Sequence, residues 1–150
     1  MQQTIENLLE HYFETLNTQD TETLLTMLSD DVMHDINQGE REVGKTAFAR
    51  YLERLNAHYR EHIYDIEIMI NKDGTRAAAE YTVLGVYLLT DPGLPAASGQ
   101  TYRLPGGSFF ELCDGKIARV SVHYNFQDWL AQVAFQDALL LSADTCEASA

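Results

Sequence analysis

The stretch His62–Thr90, HIYDIEIMINKDGTRAAAEYTVLGVYLLT, decides the fold. Ile63, Asp65, Glu67 and Met69 alternate with His62, Tyr64, Ile66, Ile68 and Ile70, and a period of two is that of a β-strand. Asn71-Lys72-Asp73-Gly74 follows as a turn, because Asp-Gly supplies the positive φ that a tight hairpin needs. A second long strand runs from Arg76 to Thr90. Two such strands around one tight turn make an antiparallel hairpin.

Downstream, Asp91-Pro92-Gly93-Leu94-Pro95 reads as a loop, since two prolines and a glycine do not sit in a ladder. A strand over Gln100–Cys113 comes next, with a bend or bulge expected at Pro105-Gly106-Gly107. Asp114-Gly115 closes a second hairpin into Lys116–Phe126. Trp129, Leu130, Val133, Phe135 and Leu139 suggest a final helix, and Ser142–Ala150 a frayed tail.

Upstream the period is helical. Ile5, Leu8, Leu9, Tyr12, Phe13 and Leu16 form one apolar stripe. Asp20 or Thr21 caps a short helix that buries Leu24, Leu25 and Leu28. Val32–Asn37 reads as a strand and Gln38–Glu42 as a loop. Gly44 precedes a third helix, striped by Phe48, Leu52, Leu55 and Tyr59. Helices first and a strand meander after them give an α+β fold. Its expected form is a cone: a curved antiparallel sheet packed with three N-terminal helices and closed by a C-terminal one, with a ligand pocket at the open end. Residues 1–141 form one domain on this reading, with 142–150 as the tail.

The chain has 150 residues, a size suited to one domain. Ten Lys and Arg against 23 Asp and Glu leave a net charge of −13. A surface so acidic repels phosphate, which argues against nucleic acid and anionic membranes as partners. No apolar run approaches the roughly 20 residues of a membrane span, and MQQTIENLLE does not read as a signal peptide. Cys113 and Cys146 lie far apart without metal spacing, which fits a reducing cytoplasm better than a disulfide framework. The five histidines show no metal-binding spacing either; His58 and His62 are four apart but straddle the expected helix-to-strand boundary. No metal and no cofactor are expected.

Several stretches carry a family likeness. Asp30-Asp31-Val32 before the first strand, Gly44 at the third helix and Asp114-Gly115-Lys116-Ile117 in the last hairpin resemble the nuclear-transport-factor-2-like superfamily. His34-Asp35-Ile36-Asn37-Gln38-Gly39 and Tyr124-Asn125-Phe126-Gln127-Asp128-Trp129 resemble its SnoaL-like polyketide cyclases and ketosteroid isomerase-related proteins. The resemblance spans about residues 3–140. It implies a tyrosine of an oxyanion hole at Tyr12, the isomerase base at the position of Ile36, and the isomerase's protonated aspartate at the position of Ser108. The tyrosine is kept and both carboxylates are missing, so efficient ketosteroid isomerisation is not expected.

Candidate residues follow from strand faces and from that likeness. Val32, His34 and Ile36 share a face that the resemblance makes the pocket wall, and an imidazole there can move protons near neutrality. His34 could equally be a core histidine bonded to a neighbour, and a one-residue bulge would exchange it with Asp35. Glu80 faces inward if the family register holds, where desolvation would raise its pKa; Tyr81 could equally be the inward residue. Tyr12 lies on the stripe of helix one, whose hydroxyl needs a partner. Val120, Val122, Tyr124 and Phe126 form an apolar pocket face, Ser108 another part of the wall, and Asn37 can bond a ligand carbonyl.

The expected function is cofactor-free acid–base catalysis, of isomerase, cyclase or dehydratase type, on an apolar carbonyl compound. His34, Glu80 and Tyr12 would be catalytic, with Asn37, Ile36, Ser108, Val120, Tyr124 and Phe126 binding substrate. The alternative is a ligand-binding or dimerising module without turnover. A homodimer is expected through the convex face, with Tyr81, Val83, Tyr87 and His123 upon it.

Overall fold

The computed structural model describes residues 2–37, 39–134 and 136. Helices α1 (Gln2–Thr18) and α2 (Thr21–Thr26) lead into strand β1 (Leu28–Asp35). Strand β2 (Arg41–Val43), helix α3 (Lys45–His58) and strands β3 (Tyr59–Ile70), β4 (Arg76–Tyr87), β5 (Thr101–Cys113) and β6 (Lys116–Tyr124) follow. A fourth helix, α4, covers residues 126–134. The expected tail, Cys146, Phe135 and Leu139 lie outside the described residues. The α+β class stands. Arg41 and Glu42, read as loop, instead form with Val43 a short edge strand that pairs antiparallel with Met33–Asp35.

The sheet order is β2-β1-β6-β5-β4-β3. Strands β3 to β6 form the meander, and β1 joins its far edge parallel to β6, with His34 opposite Val120 and Asp35 opposite Ser121. Asn17 of α1 ties the helical layer to the opposite edge, its side chain bonding both the N–H and the C=O of Ile63 at 2.8 Å. Asp20 caps α2 through the Thr23 N–H. Gly44, at φ 99°, turns the chain into α3 where an L side chain would be strained.

The strict alternation expected in β3 breaks at Asp65. Its φ of 52° is left-handed, and the pairing with β4 jumps from Tyr64↔Thr82 to Glu67↔Glu80. This bulge puts one extra residue in β3 and switches its phase. Residues 59, 61 and 63 line the cavity before it, while Ile66, Ile68 and Ile70 pack against the core after it. By contrast, the β4–β5 ladder runs unbroken through Pro105-Gly106-Gly107, so of the bend or bulge expected there the bulge is absent. The register shift falls instead in the β5–β6 ladder, between Glu111↔Arg119 and Leu112↔Ile117, with the extra residue in β6. Pro105 is tolerated because it lies just past the last β6 pair, Gly106↔Tyr124. Beyond that point Gln132 and Gln136 bond the backbone of Arg103 and Thr101, covering the open edge.

Two apolar clusters fill the concave side. One joins Leu9, Tyr12, Phe13, Leu24, Phe48 and Leu52 to the inner face of the sheet. The other gathers Tyr87, Tyr102, Leu104, Trp129 and Val133 beneath α4. The register of β4 therefore corrects an expectation. Ala77, Ala79, Tyr81 and Tyr87 are buried, and Val83 lines the cavity. Glu80 and Leu84 are exposed on the outer face. Glu80 is thus removed from any pocket role, and Tyr81, Val83 and Tyr87 from the convex surface. The burial of Tyr81 supplies the reason: its ring lies over Gly106, where a Cβ would approach to 2.6 Å.

Candidate functional site

A cavity of about 400 Å³ opens between α1, α3 and the concave face of the sheet. Tyr12, His34, Ile36, Asn37, Ser108, Tyr124 and Phe126 all lie on its wall, as the strand faces and the resemblance require. Val120 does not. It is fully buried one layer deeper, among the residues of the first cluster. Asp35 points through the sheet away from the cavity, where Arg41 holds it at 2.6 Å and Arg119 at 3.6 Å. Those guanidinium contacts keep its carboxyl below the usual range, the Arg41 hydrogen bond first.

His34 is 2% exposed. Its ring stacks on Phe48 at 4.4 Å and meets the edge of Tyr51 at 4.5 Å. Burial pulls its pKa down to about 4, against a smaller upward pull from Asp35. The imidazole is therefore neutral at physiological pH. Its Nδ1 is buried without a hydrogen-bond partner, and so is Nδ2 of Asn37, whose Oδ1 accepts from the Tyr124 N–H at 3.1 Å. A buried polar atom left unpaired costs about 1–3 kcal/mol. Two on one wall mark the place where this cavity departs from ordinary core packing.

Ser108 is occupied, sharing a 2.8 Å hydrogen bond with the Tyr81 hydroxyl. Tyr12 is nearly fully buried, and burial first, then Tyr81 and Tyr51, pushes its pKa well up. The Tyr12 and Tyr81 hydroxyls stay protonated, and in the Tyr81–Ser108 bond either oxygen can be the donor.

Sequence reasoning missed the carboxylates that do reach the cavity. Glu61 of β3 lines it and accepts a hydrogen bond from the Tyr102 hydroxyl at 2.6 Å. Desolvation raises its pKa, and the Tyr102 bond pulls back against the rise. Asp91 lines it too, accepting from the Tyr59 hydroxyl at 2.9 Å with Arg54 at 3.7 Å. A usable signal for Glu61 was present: Ile63 to Ile66 is a step of three between strand residues on the buried side, and a bulge that absorbs it turns Glu61 inward with Ile63. Tyr51, Tyr81 and Trp129 also line the wall, the last by way of α4.

No group of three His, Cys, Asp or Glu stands together to hold a metal among the described residues. His58 ends α3 and bonds the carbonyl of Leu89, whereas His62 is exposed on β3. No described helix is long and apolar enough to cross a membrane. What the arrangement offers is an apolar, aromatic chamber with a carboxyl group of raised pKa, a neutral imidazole and several hydroxyl donors.

Known proteins place the chain. The family model for the SnoaL-like domain matches residues 9–120. A candidate polyketide cyclase of Pseudomonas putida is 54% identical, with 84% of this chain and 95% of that one covered and a TM-score of 0.83. One from Xanthomonas campestris is 52% identical over 87% of this chain and 97% of that one, with a TM-score of 0.85. A third, from Silicibacter, is 47% identical over 87% and 96%, also at 0.85. No curated protein matches. With most of its length matched and near-complete relatives at about half identity, the chain belongs to the SnoaL-like domain family of the nuclear-transport-factor-2-like superfamily.

Proposed function

We propose that this protein is an acid–base enzyme, of cyclase or isomerase type, acting on a small apolar carbonyl compound without a cofactor. The observation that carries it is Glu61, a carboxyl group on the wall of a largely apolar cavity, its pKa raised by desolvation. A carboxyl group whose pKa is raised in this way suits a general acid or base, and Glu61 faces the cavity whereas Glu80 lies exposed on the outer face. Tyr12 donates to the oxygen on which negative charge develops, and Asn37 and His34 orient the carbonyl. Ile36, Tyr124 and Phe126 give the flat apolar walls, which suit a cyclic or polycyclic substrate. The names of the relatives, candidate polyketide cyclases, agree with that chemistry.

The test is a panel of polyketide-like phenols, cyclic ketones and steroids, screened for thermal stabilisation and then for a new product by mass spectrometry. A compound that is converted by the wild type, and at least about a hundredfold more slowly by Glu61→Gln, is expected, in line with general acid–base contributions. Stabilisation by a compound that never changes leaves the second reading, a binding module without turnover. The absence of both isomerase carboxylates, with Ile36 and Ser108 in their places, favours that reading. On either reading we place two copies back to back through the outer face of the sheet.

A further inference from the structure

Glu61, Gly85 and Tyr102 stand in one row across the sheet. Glu61 of β3 is registered opposite Gly85 of β4, and Gly85 opposite Tyr102 of β5. Neighbouring strands lie about 4.8 Å apart, so the outer members of the row are separated by roughly 10 Å of backbone. Tyr102 closes that gap by lying across the middle strand. A Cβ at Gly85 would collide with the Tyr102 ring and its hydroxyl. The residue is 2% exposed, and its ring meets Trp129 edge-on at 6.1 Å. Its hydroxyl then reaches Oε2 of Glu61 at 2.6 Å.

From this row we infer that Tyr102, seated on Gly85, is the positioning residue that fixes which oxygen of Glu61 works on the substrate. The inference rests on the acid–base role proposed for Glu61. Tyr102 donates, so Oε2 must accept. A neutral carboxyl group has one O–H, and with Oε2 held as an acceptor that proton sits on Oε1. Oε1 is thereby left as the oxygen for the ligand. When the proton has moved to substrate, the same Tyr102 bond remains and steadies the carboxylate that results. No other atom needs to shift. Gly85 is therefore required by the site: any side chain there lifts Tyr102 off the row and releases Glu61 to rotate.

The experiment follows the Glu61 carboxyl by carbon NMR on protein labelled at glutamate Cδ, with Glu61→Gln to assign the signal. In the wild type the midpoint should lie above the ordinary 4.5 of a glutamate. Tyr102→Phe keeps the ring and loses only the hydroxyl, so the charged form loses a donor and the midpoint should rise by about 1–2 units. Gly85→Ala should move it the same way, while Tyr64→Phe, on the outer face of β3, should not. With any compound the panel shows to be converted, the alkaline limb of kcat/KM should move up with the Tyr102→Phe midpoint. An unmoved midpoint in folded Tyr102→Phe overturns this inference alone. Full turnover by Glu61→Gln overturns the proposed function, and this inference with it.

Discussion

His34 is a residue whose burial should be measurable from stability alone. Its folded pKa is about 4 against 6.5 for an exposed histidine. As pH falls, the unfolded chain takes the proton first, so the stability held above about pH 6.5 is lost progressively down to about pH 4. The full loss is about 3 kcal/mol. Glu61, raised by desolvation, contributes with the opposite sign as the medium acidifies, so the useful quantity is a difference. Urea unfolding at pH 7 and pH 4.5 should show a smaller acid loss for His34→Leu than for wild type; equal losses would mean that His34 is solvated. Ile36 gives a second residue-level expectation. It lines the cavity with no proton-accepting atom, while Asp35 is turned away to Arg41. Wild type should leave 5-androstene-3,17-dione unisomerised, and Ile36→Asp should gain detectable turnover. Robust wild-type activity would refute this reading of strand β1.

Strand β3 shows at the scale of an element what a sequence conceals. Asp65 sits at φ 52°, a conformation that an aspartate tolerates and a β-branched residue does not. Asp65→Gly should stabilise by up to about 1 kcal/mol, and Asp65→Val should cost about 1–2 kcal/mol, read from urea midpoints. The helices and hairpins were legible because their periods and turn residues are local. His34 could be placed because β1 keeps one phase from Val32 to His34. Glu61 was missed, because a single inserted residue at the bulge reverses every side chain on one side of it and strict alternation ignores the step from Ile63 to Ile66. Strand β4 failed differently. Ala77, Ala79, Tyr81 and Val83 make the more apolar face, but the register taken from the resemblance set Glu80 inward instead. What decides is the room that Gly106 of β5 leaves for the Tyr81 ring and Gly85 of β4 for the Tyr102 ring, a cross-strand fact that no single-strand pattern contains. The parallel ladder between β1 and β6 was likewise out of reach, being a pairing of distant segments.

At the scale of the whole molecule, the outside of the sheet carries Met69, Leu84 and Phe109, each 49% exposed. These replace Tyr81, Val83 and Tyr87 as the residues expected to meet a second copy; His123 still lies beside them, its ring 5.5 Å from Phe109. Light scattering at micromolar concentration should give twice the chain mass, and Phe109→Glu should halve it; a wild-type monomer would sink the idea. The β1–β6 ladder has a consequence for how the chain is made. Leu28 pairs with Ile117, so the first strand to leave a ribosome has to wait for the last before its inner edge is satisfied. Contacts this distant in sequence are slow to form, because the loop between them must close before they add any stability. Synthesis halted at Asp114 would leave α1, α2 and β1 beside the β3–β5 meander with β6 missing between them. The N-terminal segment is thus the first made and among the last seated, and the cavity that Tyr12 and His34 help to wall exists only once translation has passed Tyr124.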